Sequence, residues 1–193
     1  MKHGLKITIL SLVLLGLFSG SAFAQNRIAT VNLKKLFDGY WKTKQADAAL
    51  KDRAAQMDKS HKDMVQTYQQ DKADYQKLLT DANDQAISST EREKRKQAAA
   101  AKLKSIKDEE NSITQFERQA RATLDEQQRR MRANILEEIQ NIISAKAKTA
   151  GYSLVIDTTA ESANNNAQIV LYSNGDNDIT ADVLKQLNAS APV

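Results

Sequence analysis

From Tyr40 to Ala150 apolar residues recur every three or four positions among charged and amide side chains, and no glycine or proline interrupts them. Ala, Lys, Gln, Glu, Asp and Arg fill most of the remaining positions. Most of these lose little freedom in a helix, so the pattern predicts long α-helix. The rhythm breaks once, at Ile87-Ser88-Ser89-Thr90-Glu91-Arg92-Glu93. There Thr90 and Glu93 have the spacing of a capping box, in which the hydroxyl accepts from the third amide and the carboxylate reaches back. Two helices are expected, roughly 42–86 and 91–149, about 67 and 88 Å long at about 1.5 Å per residue. Joined by a short polar turn, they should fold back as an antiparallel hairpin.

The apolar seam of that hairpin is thin. In the first helix Leu50, Ala54, Met57, His61, Met64, Tyr68, Asp71, Tyr75, Leu78 and Ala82 alternate steps of four and three. In the second, Leu103, Ile106, Glu110, Ile113, Glu117, Ala120, Leu124, Gln127 and Met131 do the same, and the apolar positions then slip to Ile135, Ile139, Ile142 and Ile143. A heptad core interrupted by His61, Asp71, Glu110, Glu117 and Gln127 cannot pack densely, and a slip towards an eleven-residue spacing relaxes the left-handed supercoil. The arms are expected to hold together weakly and to bend. Met57, Met64, Tyr68 and Tyr75 read first as core of the coiled coil and second as soft contact points for varied apolar surfaces. His61 has no second histidine or cysteine near it in sequence with which to share a metal, and reads as a seam residue.

The flanks predict a small body. Arg27-Ile28-Ala29-Thr30-Val31-Asn32-Leu33 reads as a strand followed by a short helix through Lys34-Lys35-Leu36-Phe37, with Tyr40 and Trp41 placed to anchor the first arm. Gly151 is positioned to end the second arm, before a strand Tyr152–Asp157. A polar loop from Glu161 to Asn166 leads to a strand Gln168-Ile169-Val170-Leu171-Tyr172, a turn at Asn174-Gly175-Asp176 and a last helix from Asp178-Ile179-Thr180 to Leu187. The fold class is therefore α+β, predominantly α, with the arm 42–149 inserted into a body made of 25–41 and 150–193. A body of about 61 residues buries only about 60% of its unfolded surface. With strands apolar on both faces, it is expected to be held together as an oligomer through Ile28, Val31, Leu33, Leu154, Ile156, Ile169, Val170, Leu171, Tyr172, Ile179, Val183, Leu184 and Leu187.

The first residues have a different character. Lys2, His3 and Lys6 precede an apolar run from Ile7 to Phe18 and the small-residue sequence Ser21-Ala22-Phe23-Ala24, the layout of a secretory signal cleaved after Ala24. Residues 1–24 are read as that signal, and the mature chain as exported. The sequence has no cysteine, which excludes disulfides, thiolate metal sites and lipid attachment through an N-terminal cysteine.

Of 28 basic and 24 acidic residues, Lys2 and Lys6 leave with the signal, so the mature net charge is about +2. The surplus gathers in the middle of the helical region at Lys94, Arg95, Lys96, Lys102, Lys104 and Lys107. Such a run reads as a solvated helix face or as a mildly positive patch for an acidic partner or an anionic lipid surface. A nucleic-acid binder fits poorly with export and nearly balanced charge. No phosphate-binding loop or cluster of catalytic side chains argues for an enzyme, and no cofactor is implied.

Arg27–Leu33 with Leu36-Phe37, the segment Tyr152–Asp157, and above all Asp178-Ile179-Thr180-Ala181-Asp182-Val183-Leu184-Lys185-Gln186-Leu187 resemble the Skp (OmpH-like) family of periplasmic chaperones. The likeness covers the mature chain in layout, while the arms match only as helix. The resemblance implies a jellyfish-shaped homotrimer whose hairpins enclose a cavity holding unfolded outer-membrane proteins without ATP. On that reading the candidate client contacts are Met57, Met64, Tyr68, Tyr75, Lys94, Arg95, Lys96, Lys102 and Lys104. The best-known members are strongly basic along the arms; the small charge here shifts weight towards the apolar inner faces. The alternative from the residues is a coiled-coil spacer or adaptor of the cell envelope.

Overall fold

A computed structural model describes residues 27–192. The expected leader, residues 1–24, lies outside the described residues. In chain order the elements are β1 (Ile28–Val31), α1 (Leu33–Gly39), α2 (Trp41–Ala82), α3 (Ser89–Ala150), β2 (Leu154–Asp157) and α4 (Thr180–Leu187), closed by a 3-10 turn at Asn188–Ser190. The architecture is predominantly helical, with two long helices packed together beside a small two-stranded sheet. None of the described helices is long and apolar enough to cross a membrane.

Local chemistry fixes where the helices begin and end. Asn32 caps α1, its side-chain oxygen accepting from the Lys35 amide at 2.7 Å. A single extended residue, Tyr40, then separates α1 from α2. The helix α3 starts earlier than the Thr90–Glu93 box predicts. Ser88, extended at φ −64 and ψ 156, is its cap and accepts from the Glu91 amide at 3.2 Å. Starting there adds a further helical bond, from the Arg92 amide to the Ser88 carbonyl at 2.9 Å, and frees Glu91 to pair with Arg95. The first long helix stops at Ala82, short of the expected 86, because the Asp84 carboxylate accepts from the Ala86 amide at 2.8 Å and turns the chain. At the far end of α3, Gly151 is left-handed at φ 71 and ψ 29. Its amide and that of Tyr152 donate to Lys148 and Ala147 carbonyls, the paired bonds of a Schellman motif.

The sheet joins the two ends of the chain. β1 pairs with β2 in parallel, Ile28 opposite Leu154 and Val31 opposite Asp157. On its other edge β1 is paired through Thr30 alone, whose amide donates to Asn177 and whose carbonyl accepts from Ile179, each at 3.0 Å. The Asp157 carboxylate accepts from the amides of Leu33 and Thr159, tying the start of α1 to the end of β2. Over this sheet lies one core of Ala29, Val31, Leu36, Tyr40, Ile135, Ile139, Ile179, Val183 and Leu187. It takes Ile135 and Ile139 from α3, residues that the sequence pattern places on the arm. Val183 and Leu187 stand four apart on α4 and both point into it. Gly39 permits the close approach of α4 to α1, since a Cβ there would stand 3.0 Å from Leu184 Cδ1.

The expected strand at Gln168–Tyr172 is not formed. Within the described residues Gln168 makes one isolated antiparallel bridge to Glu161, and Ile169 donates to the Ala160 carbonyl at 2.8 Å. A strand needs a neighbour along its length, and from Val170 onward none is present among the described residues. Ile169, Leu171 and Tyr172 are accordingly 61%, 88% and 85% exposed.

The long helices are held at their root by polar contacts. Tyr40 Oη donates to Glu138 Oε2 at 2.6 Å, and Lys42 Nζ donates to both oxygens of the same carboxylate at 2.9 and 2.8 Å. These bonds, from Lys42 first and Tyr40 second, hold the Glu138 carboxyl below its ordinary range, while burial raises the Tyr40 phenol. Asn188 clasps the α1–α2 junction, accepting from the Trp41 amide at 2.9 Å and donating to the Gly39 carbonyl at 3.1 Å. Lys146 and Asp182, 2.8 Å apart, join α3 to α4.

Two outcomes are expected. Gly151→Ala should cost about 1 kcal/mol in urea unfolding, because nothing crowds the new methyl but a non-glycine residue is strained in the left-handed region. A depressed carboxyl pKa gives stability that is present above the ordinary carboxylate range and lost as pH falls through the lowered value. Glu138→Gln should therefore melt below the parent at neutral pH, and the two melting temperatures should converge as pH falls through the lowered Glu138 titration.

Candidate functional site

Two surfaces outside the core have features that a partner could use: the seam between α2 and α3, and the apolar side of the sheet. Along the seam, Lys42 meets Glu138, His61 meets Glu117 at 2.7 Å, Asp71 meets Lys102 at 2.8 Å, and Arg95 donates to the Asp81 carbonyl at 3.3 Å. Partner numbers fall along one helix as they rise along the other.

The first-helix positions expected in the seam do face α3, but Met57, Met64, Tyr68 and Tyr75 are only half-buried. In α3 the register differs from expectation over one stretch. Ile106, Ile113, Ala120, Leu124, Gln127 and Met131 lie in the seam as expected, whereas Glu110 and Glu117 are exposed and Leu103 is 36% exposed. Their inward places are taken by Lys102, Glu109 and Phe116, while Glu117 reaches His61 from the rim of the seam. Phe116 carried a signal that the alternation overlooked: it is the sole aromatic residue of α3 and stands three beyond Ile113 and four before Ala120. The steps from Ile113 through Phe116 and Ala120 to Leu124 are three, four and four. That is an eleven-residue repeat, which straightens the pair at this point.

Two departures from a packed coiled coil follow. An apolar cleft of about 340 Å³ opens where Ala54 and Ala120 fill less of the seam than their larger neighbours, lined also by Met57, His61, Phe116 and Leu124. Farther out, Lys102 lies between Asp71 and, at 3.8 Å, Asp74. Its hydrogen bond lowers the Asp71 carboxyl, and Asp71 in turn raises the Lys102 ammonium. Glu109 lies in the same layer, its Oε1 accepting from Ser105 at 3.2 Å and its Oε2 buried without a partner. Desolvation first, and the neighbouring Asp71 carboxylate second, push the Glu109 carboxyl up.

The basic run divides between two environments. Lys94, Lys96 and Lys104 are exposed. Arg95, in contrast, pairs with Glu91 and covers the carbonyl end of α2, where a cation is favoured, and Lys102 lies in the seam. Among the described residues no group of three or more metal-ligating side chains converges.

Beside the core, the sheet leaves apolar surface uncovered. Val31, Ile179, Val183 and Leu187 are buried, and Leu33, Ile156, Val170 and Leu184 half-buried. Ile28 and Leu154, opposite each other across the sheet, are 45% and 50% exposed. With the exposed Ile169, Leu171 and Tyr172 they make up the large solvent-facing apolar side chains among the described residues apart from Leu103. Among the described residues the outer edge of β2 has no neighbouring strand.

The chain is similar in sequence to known proteins over most of its length. The chain is 30% identical over 194 residues to the chaperone protein Skp of Pectobacterium atrosepticum, covering 97% of this chain and 99% of that protein. To the chaperone protein Skp of Photorhabdus luminescens it is 29% identical over 174 residues, covering 88% and 90%. The family described as "Outer membrane protein (OmpH-like)" matches residues 27–187, which runs from the start of β1 to the end of α4 and takes in the whole core and both long helices. The resemblance carried by the body segments therefore holds along the full described fold, and the chain belongs to the OmpH-like family.

Proposed function

We propose that this protein is an ATP-independent holdase chaperone of the periplasm, exported by a leader cleaved after Ala24, that keeps unfolded outer-membrane β-barrel proteins from aggregating. The observation that carries the reading is the shallow seam. Met57, Met64, Tyr68 and Tyr75 each keep part of an adaptable apolar or aromatic side chain open to solvent along a pair of helices. Many weak contacts of this kind hold a varied polypeptide without fixing it, which suits retention followed by release and needs no nucleotide. The relatives named chaperone protein Skp support the same role.

In this reading residues 42–149 form an antiparallel hairpin arm, and 25–41 with 150–193 an oligomerisation body, assembled as a homotrimer. The open edge of β2 and the exposed Ile28, Leu154, Ile169, Leu171 and Tyr172 support that assembly, because a neighbouring chain would pair the edge and cover the apolar side chains. The three arms then surround a cavity in which the client lies. Lys94, Lys96 and Lys104, exposed on the outer half of the arm, draw acidic clients or an anionic lipid surface, with Arg95 and Lys102 contributing charge from their paired positions.

Light-scattering mass of the mature chain should give three copies, and mixing with a urea-denatured outer-membrane barrel protein diluted into buffer should give a soluble complex with one client. A stable oligomer beside an aggregated client would favour an envelope spacer or adaptor instead. Leu171→Asp should shift the mass towards the single chain while leaving its helical circular dichroism largely intact. Replacing Lys94, Lys96 and Lys104 together with Gln should weaken client binding at low salt and have little effect at high salt, where exposed charges are screened; equal binding at both would remove the electrostatic contribution.

A further inference from the structure

The polar layer across the outer seam holds three carboxylates, Asp71 and Asp74 from α2 and Glu109 from α3, around the single ammonium of Lys102. With all of them ionised the layer carries two uncompensated negative charges between helices. Lys102 is committed to Asp71 at 2.8 Å and stands 3.8 Å from Asp74, and the remaining polar neighbour of Glu109, Ser105, bonds only Oε1. Glu109 Oε2 is left buried with no hydrogen-bond partner. An ionised carboxylate oxygen in that position has lost its water and gained nothing. A proton on Oε2 resolves this: it neutralises Glu109 and turns the orphan acceptor into a donor towards Asp71 on the facing helix.

We propose that Asp71 and Glu109 share one proton across the seam, and that its release is a switch which splays the outer part of the α2–α3 pair. With the proton in place the layer carries one uncompensated negative charge, and a carboxyl–carboxylate hydrogen bond joins the helices. Without it the two carboxylates repel each other and Glu109 must turn towards water, which parts the seam between the layer and the Asn83–Ser88 turn. The direction follows from the proton: the outer seam is closed while Glu109 is protonated, and opens as pH rises through that carboxyl's titration. The opposite response, opening as pH falls, belongs to the Asp71–Lys102 ion pair and sets in below the ordinary carboxylate range, where Asp71 itself takes up a proton. The switch concerns the seam alone and stands whether or not the arms hold clients.

Because the chain has no cysteine, spin labels can be placed at Gln76→Cys and Ala98→Cys, exposed positions on α2 and α3 outward of the layer. The distance between the labels should lengthen and its distribution broaden as pH rises from the acid side through neutrality, and Glu109→Gln should hold the shorter distance over the whole range. Carbon-13 titration of the Glu109 carboxyl in the unsubstituted chain needs no seam variant and should place its midpoint above the ordinary glutamate value. A distance that stays constant with pH, a distance that lengthens only as pH falls, or a Glu109 midpoint at or below the ordinary glutamate value would each overturn the proposal.

Discussion

The parallel pairing of β1 with β2 is the constraint from which the rest of the architecture follows. It fixes Ile28 beside Leu154, so everything between them must leave the sheet and come back to it. Parallel neighbours cannot be joined by a tight turn and need a crossover. Here the crossover is the entire length of α1, α2 and α3, which makes the long helices a closed excursion from the core. The helices are unequal, 42 residues against 62, and the surplus of α3 is used at the root, where Ile135 and Ile139 enter the core. Closing so long a loop is less costly than its length suggests, because the entropy term grows only with the logarithm of loop size and packing of the two helices shortens the effective loop.

Away from the root, the pair is stabilised very differently. The core buries Leu36, Ile139 and Val183 completely, whereas the outer seam buries little beyond Ala82, Ala99 and Ile106. Between these limits the contacts alternate between half-buried apolar residues and polar pairs such as His61 with Glu117 and Asp71 with Lys102. Partly exposed ion pairs contribute little net stability but resist sliding of one helix along the other, since each pair is satisfied in only one register. The seam is thus specified more by pairing than by burial, and local opening is expected to be easier there than in the core.

Much of this was legible in the sequence, for identifiable reasons. The absence of glycine and proline from Tyr40 to Ala150 left helix as the one state for that stretch, and Gly151 marked its end through a left-handed cap that only glycine adopts easily. Val183 and Leu187 announced the inner face of α4 by their spacing. The register of α3 was harder, because Glu109 and Glu110 are identical neighbours and a strict heptad chooses the wrong one once the repeat lengthens at Ala120. Lys102 and Glu109 were invisible as seam residues for a related cause: charged side chains join a seam only when a partner on the other helix answers them, and a linear pattern cannot reveal that partner. The segment 168–172 has the composition of a strand, but pairing is a property of two segments, and among the described residues a neighbour reaches it only at Gln168 and Ile169.

Tyr40, the lone extended residue between α1 and α2, has a mechanical consequence. A junction of one residue, fastened by its own hydroxyl to Glu138 and by Asn188 across the adjoining peptides, is a fulcrum at the base of a lever. The 42 residues of α2 extend about 63 Å from it, so a tilt of about 5° at the fulcrum carries the far end through about 5 Å. Displacements too small to disturb the packing of Leu36 or Val183 are thereby multiplied into movements the size of a side chain at the other end of the molecule.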